Sequence, residues 1–318
     1  MADGLRYVWS YGPMLNEAAA ATADILCLIN GAAHSGGADS KRQLVADALV
    51  AAGATVQVEQ PGNCDELVRR AREAAQNRAK LVIAGGGDGT ISAAANALAG
   101  TDTALAVLPL GTLNHFAKDL GIPLEIEKAV VNAFEGEIRT VDVAEVNGRI
   151  FINNSSIGLY PRMVRKREAL QRSGWSKWLA LARAAVAVFP AARGFWIRLN
   201  AGSRTLSGKT DFLFVGNNPY ELTIPQVGAR TVLDSGTLWA WQLPHTGRFA
   251  VMLLALRALF RLEKPKAPIV LTGREFRVEM RKATVDVAVD GEVVSMTPPL
   301  QYRSRPRALR VMVPKTAS

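Results

Sequence analysis

Four short runs rich in apolar residues punctuate the first half of the chain: Ile25–Asn30, Thr55–Glu59, Leu81–Ala84 and Ala104–Leu108. Their length and aliphatic or β-branched content predict buried strands. Segments with helical spacing of apolar positions lie between them: Ser40–Ala52, Cys64–Ala79 and the Ala-rich Thr90–Ala99. Ser40 reads as an N-cap, and Gly53 sits just past that helix's end. Strand alternating with helix predicts a doubly wound parallel sheet. In such sheets ligands sit outside the carboxyl ends of the strands.

The pattern changes near Arg139. Thr140–Val146, the pair Asn147-Gly148 and Arg149–Asn153 predict a hairpin with a two-residue turn. Further strands are expected over Phe195–Asn200, Thr210–Gly216, Gly236–Leu243, Glu275–Met280 and Val285–Val289. The expected organisation is an extension over residues 1–24, an α/β domain over 25–138 and a mostly antiparallel β-sandwich over 139–318. Two insertions interrupt the second domain. Tyr160–Ala192 carries Arg162, Arg165, Lys166, Arg167, Arg172, Lys177 and Arg183 against one acid, Glu168, with Trp175, Trp178 and Phe189 interleaved. Gly247–Leu262 is apolar with Arg248, Arg257 and Arg261. Basic and aromatic residues on an amphipathic helix fit a membrane interface, and equally a solvated helix packed on a sheet.

Charge sharpens this division. The 318-residue chain carries a formal +10, with 12 basic and 18 acidic residues in 1–160 but 26 and 10 in 161–318. A basic second half suits a nucleic acid or an anionic membrane surface as partner. No recognition motif supports a nucleic-acid partner. Cys27 and Cys64 form no metal-ligand spacing, and Cys27 lies in an apolar run. The start of the chain lacks a basic region followed by an apolar core, and no apolar run is long enough to span a bilayer. The expected location is cytoplasmic, peripheral on the inner face of the membrane.

The candidate chemistry lies where strands end. After Leu81–Ala84, residues Gly85, Gly86, Gly87 and Gly89 make a loop with almost no side chains, and Thr90 opens a helix. Such a loop lets backbone N–H groups and a helix dipole hold a phosphate. Asp88 is the odd residue. Beside a polyphosphate its carboxylate needs a metal ion or a network of donors; otherwise it merely caps the helix. Small-residue loops also follow the strands at Asn30 and Gly111, so three loops are expected to converge on one crevice. Gly202–Thr210 imitates a Walker A loop but has five residues between its glycines instead of four, and reads as a hairpin. Asp290-Gly291 reads first as a turn.

Together, Gly86-Gly-Asp-Gly-Thr90, Gly111-Thr-Leu-Asn114 with Phe116-Ala117, and Asp290-Gly-Glu292 resemble the diacylglycerol kinase catalytic-domain family, which includes bacterial lipid kinases and sphingosine kinases. Asn153, Ser156 and Gly158 also match that pattern, and the resemblance runs over roughly residues 25–310. It implies an α/β domain like that of NAD kinases and phosphofructokinases, a β-sandwich, and ATP and a lipid alcohol meeting between them. It places Gly86, Gly87, Asp88, Gly89, Thr90, Gly111, Thr112 and Asn114 at the nucleotide, with Glu292 and, more loosely, Asn30 and Ser35. It makes Asp290 the catalytic base, and Asp88 and Asp234 the candidates for holding Mg²⁺. Two positions depart from the family: Ala93 and His115 stand where carboxylates are common, and Asp119 is a candidate to replace the second. The implied activity is ATP- and Mg-dependent phosphorylation of a lipid, diacylglycerol first. A soluble NAD kinase-like enzyme and a non-catalytic lipid-binding protein remain alternatives, and oligomeric state, a homodimer included, stays open.

Overall fold

The alternation of the first half and the hairpins of the second both form. A computed structural model describes residues 6–7, 24–30, 38–51, 56–172, 194–221, 229–245 and 269–315. Strand and helix alternate through β1 (Arg6–Tyr7), β2 (Ile25–Ile29), α1 (Ala38–Ala51), β3 (Gln57–Glu59), α2 (Cys64–Gln76), β4 (Leu81–Gly86), α3 (Asp88–Leu98), β5 (Ala104–Pro109), α4 (His115–Asp119) and α5 (Ile126–Glu135). Strands then dominate: β6 (Glu137–Val146), β7 (Arg149–Phe151), β8 (Asn154–Gly158), the helix α6 (Leu159–Arg172), β9 (Phe195–Ala201), β10 (Arg204–Asn217), β11 (Leu238–Pro244) and β12 (Ile269–Gly273). The chain closes with β13 (Glu275–Met280), β14 (Val285–Val289), β15 (Glu292–Met296) and β16 (Leu300–Val313). It divides into two compact units: Met1–Val143 with Glu221–Asp234 and Pro306–Ser318, and Ala144–Tyr220 with Ser235–Arg305.

The first unit is α/β. Its strands lie in the order β1, β3, β2, β4, β5, β16. β3, β2, β4 and β5 are parallel, β1 is antiparallel at the edge, and Val311 of β16 runs parallel beside Leu105. Every residue of β4 and β5 is buried, so these strands read as unbroken apolar runs without alternation. Helix α2 packs on α3, and α5 on α1 and β5. Local chemistry moves some boundaries. α1 begins at Ala38, which puts Ser40 inside the helix and not at its cap. α2 starts after Asn63, whose side chain accepts the Glu66 N–H at 2.8 Å. Helix α5 has no counterpart among the expected elements.

The second unit is antiparallel, apart from α6. Its strand order is β13, β9, β10, β8, β14, β15, with β11 along the second half of β10 and β12 outside β11. One core joins Phe151, Ile157, Leu199, Leu213, Val215, Val278, Val287 and Tyr302 with their neighbours. Two turns have positive φ at both central residues, Asn147-Gly148 (47° and 81°) and Asp290-Gly291 (46° and 88°), the geometry that matches strand twist. The Walker-like segment is indeed a hairpin: Gly202 turns at φ 59°, and Arg204–Thr210 are strand. Among the described residues, no helix is long and apolar enough to cross a membrane.

Cys27 is fully buried on β2, and burial pushes its thiol up to about 12. The shift is upward, so the reactive thiolate is scarce throughout pH 7–9. We expect iodoacetamide to label Cys27 only after denaturation, as read by mass spectrometry of the native and unfolded protein.

A candidate phosphate site and an anchored carboxylate

The expected glycine loop is shorter than its sequence suggests. Gly85 and Gly86 complete β4, paired with Leu108 and Pro109, and Gly87 alone separates strand from helix. The helix therefore begins at Asp88, two residues before Thr90. Gly87 is the N-cap, and among the described residues no side chain caps the helix. The first N–H groups of α3 thus face outward with the positive end of the helix dipole, the arrangement that holds a phosphate.

Asp88 does not cap its own helix. Its Oδ2 accepts the Asn114 N–H at 3.0 Å and its Oδ1 the His115 N–H at 2.7 Å. The carboxylate thereby anchors the start of α4, and its charge rests on two backbone donors. Asn114 is itself left-handed, at φ 51°. Its Oδ1 accepts the Gly111 N–H at 3.0 Å, while its Nδ2 donates to the carbonyls of Gly111 and Pro109. The two turns touch: a Cβ at Gly111 would lie 2.6 Å from the Gly87 Cα. From the third loop, Asn30 donates its side-chain N–H to the Thr90 hydroxyl at 2.8 Å, and its backbone N–H to the Gly85 carbonyl at 2.9 Å. Asn30, Gly86, Gly87, Asp88, Thr90, Gly111 and Asn114 therefore form one connected site, with Gly89 in the first helical turn and Thr112 exposed beside it. Ser35 lies outside the described residues.

Other carboxylates of this unit are differently placed. Asp119 is held by Arg230, whose Nε donates to Oδ2 at 2.8 Å. Both side chains are nearly or wholly buried. A carboxylate so neutralised does not stand in for the one that His115 replaces. Arg230 sits on the returning segment Glu221–Asp234, and nothing in its sequence surroundings announces this partner. Asp234 is half-exposed, with Arg139 3.7 Å away. Among the described residues no three His, Cys, Asp or Glu side chains cluster as a metal site.

Asp290 belongs to the second unit. It occupies the turn of the β14–β15 hairpin, but its carboxylate also docks on the segment between β7 and β8. Oδ2 accepts the Ile152 N–H at 2.9 Å, and Oδ1 accepts those of Asn153 and Asn154 at 2.9 and 3.1 Å. The carbonyls of the same segment face other partners. Asn217 donates to Ile152 and Asn153, and the Tyr220 hydroxyl donates to Asn153 at 3.0 Å. Asn217 and Tyr220 escaped the sequence reading; the sole signal was a polar Asn-Asn pair ending an apolar strand. Glu292 is exposed and pairs with Arg149 at 2.6 Å. Of the basic insertion, α6 is described, and Arg165 on it pairs with Asp286 at 2.7 Å. Trp175, Trp178, Lys177, Arg183, Phe189 and the second insertion, Gly247–Leu262, lie outside the described residues.

A parallel α/β unit with a glycine turn before an uncapped helix, and an antiparallel unit carrying an anchored aspartate, define a class of proteins, and comparison identifies the family. The sequence model of the diacylglycerol kinase catalytic domain matches residues 24–146. A protein of Pseudomonas syringae pv. tomato named "Probable lipid kinase YegS-like" is 30% identical over 258 residues, covering 80% of this chain and 81% of the relative. One of the same name from Enterobacter sp. is 38% identical over 143 residues, 43% of this chain and 47% of the relative, so the chain spans about half the length of that relative. The crystal structure of a diacylglycerol kinase from Bacillus anthracis str. Sterne superposes with a TM-score of 0.71 at 22% identity, over 92% of this chain and 97% of that one, and shares the fold. The chain belongs to the diacylglycerol kinase catalytic-domain family.

The Gly87–Gly111 contact and the Asp88 brace generate one prediction. Gly111→Ala forces a Cβ against backbone, and Asp88→Ala strands two amides. Each is expected to destabilise the protein by about 1–3 kcal/mol. Leu113→Ala, at a side chain 50% exposed, is the neutral control. Urea unfolding followed by far-UV circular dichroism measures all three.

Proposed function

We propose that this protein is a lipid kinase: it transfers the γ-phosphoryl group of ATP to the hydroxyl of a membrane lipid alcohol, diacylglycerol first, yielding phosphatidic acid. The N-terminus of α3 carries the reading. It is uncapped, it follows a turn with no side chain, and the one nearby carboxylate is turned onto the amides of Asn114 and His115. That combination offers a polyphosphate donors without a competing anion. The family match and the relatives' names support transfer to a lipid.

A lipid hydroxyl is a poor nucleophile at neutral pH, so a placed carboxylate must accept its proton as attack proceeds. Asp290 is our candidate, because three backbone amides hold its oxygens in a fixed position. The donors of the glycine turn bind and orient the phosphates. Magnesium bound with the nucleotide needs only one or two protein carboxylates and neutralises charge on the phosphates. Asp88 fits that need, since each of its oxygens accepts one amide and a carboxylate has about four acceptor sites. Asp234 is the second candidate. The basic second half of the chain supports an anionic membrane as the surface on which the enzyme meets its acceptor, at the inner face of the membrane.

The test is transfer from labelled ATP and Mg²⁺ into lipid alcohols in mixed micelles. Asp290→Asn is expected to lower kcat at least 100-fold, the span of general base catalysis. Transfer that survives the substitution would sink the base assignment. Phosphorylation of NAD without lipid would replace the acceptor, and vesicle binding without any turnover would replace the enzyme by a lipid-binding protein.

A further inference from the structure

One sheet face of the second unit is built unlike the rest. Along β8, β10 and β11 the side chains alternate between two faces. Ser155, Ile157, Leu213, Val215, Leu238 and Ala240 turn towards the core. The opposite face carries three cross-strand rows. Asn154, Gly216 and Trp239 form the first, Ser156, Phe214 and Trp241 the second, and Gly158 and Phe212 the third. Tyr220 lies over Gly216, where a Cβ would come within 2.6 Å of its ring. Phe214 packs against Tyr220 at 5.1 Å and Trp239 at 6.1 Å, and Phe212 against Trp241 at 5.5 Å. These rings form a continuous aromatic layer; helix α6 packs against β8 and β10, and Trp239 is buried.

Two polar atoms of the middle row break it. The Ser156 hydroxyl and the Trp241 indole N–H are buried and have no hydrogen-bond partner among the described residues. Ser156 is 1% exposed. Buried donors are nearly always satisfied, so each orphan calls for an explanation. The indole N–H can only donate, and the hydroxyl can donate as well. A ligand that satisfies both presents acceptors on an otherwise apolar body. A hydroxyl-rich or cationic ligand does not have that character.

The row is also placed for it. The Asn154 N–H is one of the three that hold Asp290, and Ser156 lies two residues further along the same strand face, about 7 Å away. In a diacylglycerol the reacting hydroxyl oxygen and the nearest ester carbonyl oxygen lie at most about 5 Å apart, and a hydrogen bond of about 2.8 Å at each end lets the pair bridge that span. Trp241 lies two strands over, roughly 10 Å between backbones, a gap the long indole shortens.

We propose that this face seats the ester region of the acceptor lipid, Ser156 and Trp241 donating to its two ester carbonyls and the aromatic rows holding the first carbons of its chains. Acyl-ester glycerolipids are thereby selected over ether lipids and sphingoid bases. A site with buried donors rejects a ligand that lacks the matching acceptor. The inference rests on the lipid-kinase reading, but its test separates the two.

The probe pair is 1,2-diacylglycerol and 1,2-dialkylglycerol of equal chain length, which differ only in the two carbonyls. In mixed micelles the wild-type protein is expected to favour the ester in kcat/KM by tenfold or more. Ser156→Ala and Trp241→Phe are each expected to shrink that ratio about tenfold. The ratio is internal to each variant, so a loss of folded protein does not move it. Binding is measured beside it, as tryptophan quenching by brominated-chain versions of the same lipids. Ester-selective quenching without phosphate transfer would refute the kinase and keep this seat. Equal quenching by ester and ether, no quenching by either, a ratio that neither substitution changes, or tighter binding of a sphingoid base would each overturn the proposal.

Discussion

The first unit depends on the Asp88 carboxylate and its two amides. The N-terminus of a helix carries positive potential, and an aspartate at its first position threatens to cancel it. The structure resolves the conflict by direction. The carboxylate reaches 26 and 27 residues along the chain to the start of α4 and spends its charge there. Three consequences hang on that contact. The N–H groups of α3 stay uncapped, Asn114 is held left-handed, and Gly111 can approach Gly87 to a distance that admits no side chain. The site is thus set by sheet register and one brace, and owes little to a flexible loop.

The second unit solves a similar problem differently. Its aspartate sits at a hairpin tip, normally a mobile place. The segment from Ile152 to Asn154 prevents that by offering its amides to Asp290 and its carbonyls to Asn217 and Tyr220. A short stretch of backbone without regular pairing becomes the fixed point between a turn and an aromatic surface. Gly158, at the end of β8, has φ 106°, and a Cβ there would collide with the Asp211 carbonyl, so the strand leaves this point on a path open to glycine alone.

What the sequence made legible is what is local. The apolar runs of β2, β4 and β5, the Asn147-Gly148 and Asp290-Gly291 turns, and strands β13 and β14 follow from residues within a few positions of each other. The glycine turn was recognised, but its length was not. Gly85 and Gly86 look like loop residues until β2 and β5 flank them and make them strand. The partners of charged groups were beyond reach. Asp119 looks available in the sequence, and only folding brings Arg230, 111 residues later, onto it. Asp290 reads as a turn for the same reason, since the amides it binds lie about 137 residues upstream.

The path of β16 has a consequence for biosynthesis. Its second half finishes the first unit: Val311 pairs with Leu105, the Met312 carbonyl accepts from Asn132, and the Ala308 carbonyl accepts the Gly100 N–H. A ribosome delivers these residues after all of the second unit. Until then β5 is an open parallel edge, a template for pairing with another chain. The first unit, first to be made, is the last to be closed.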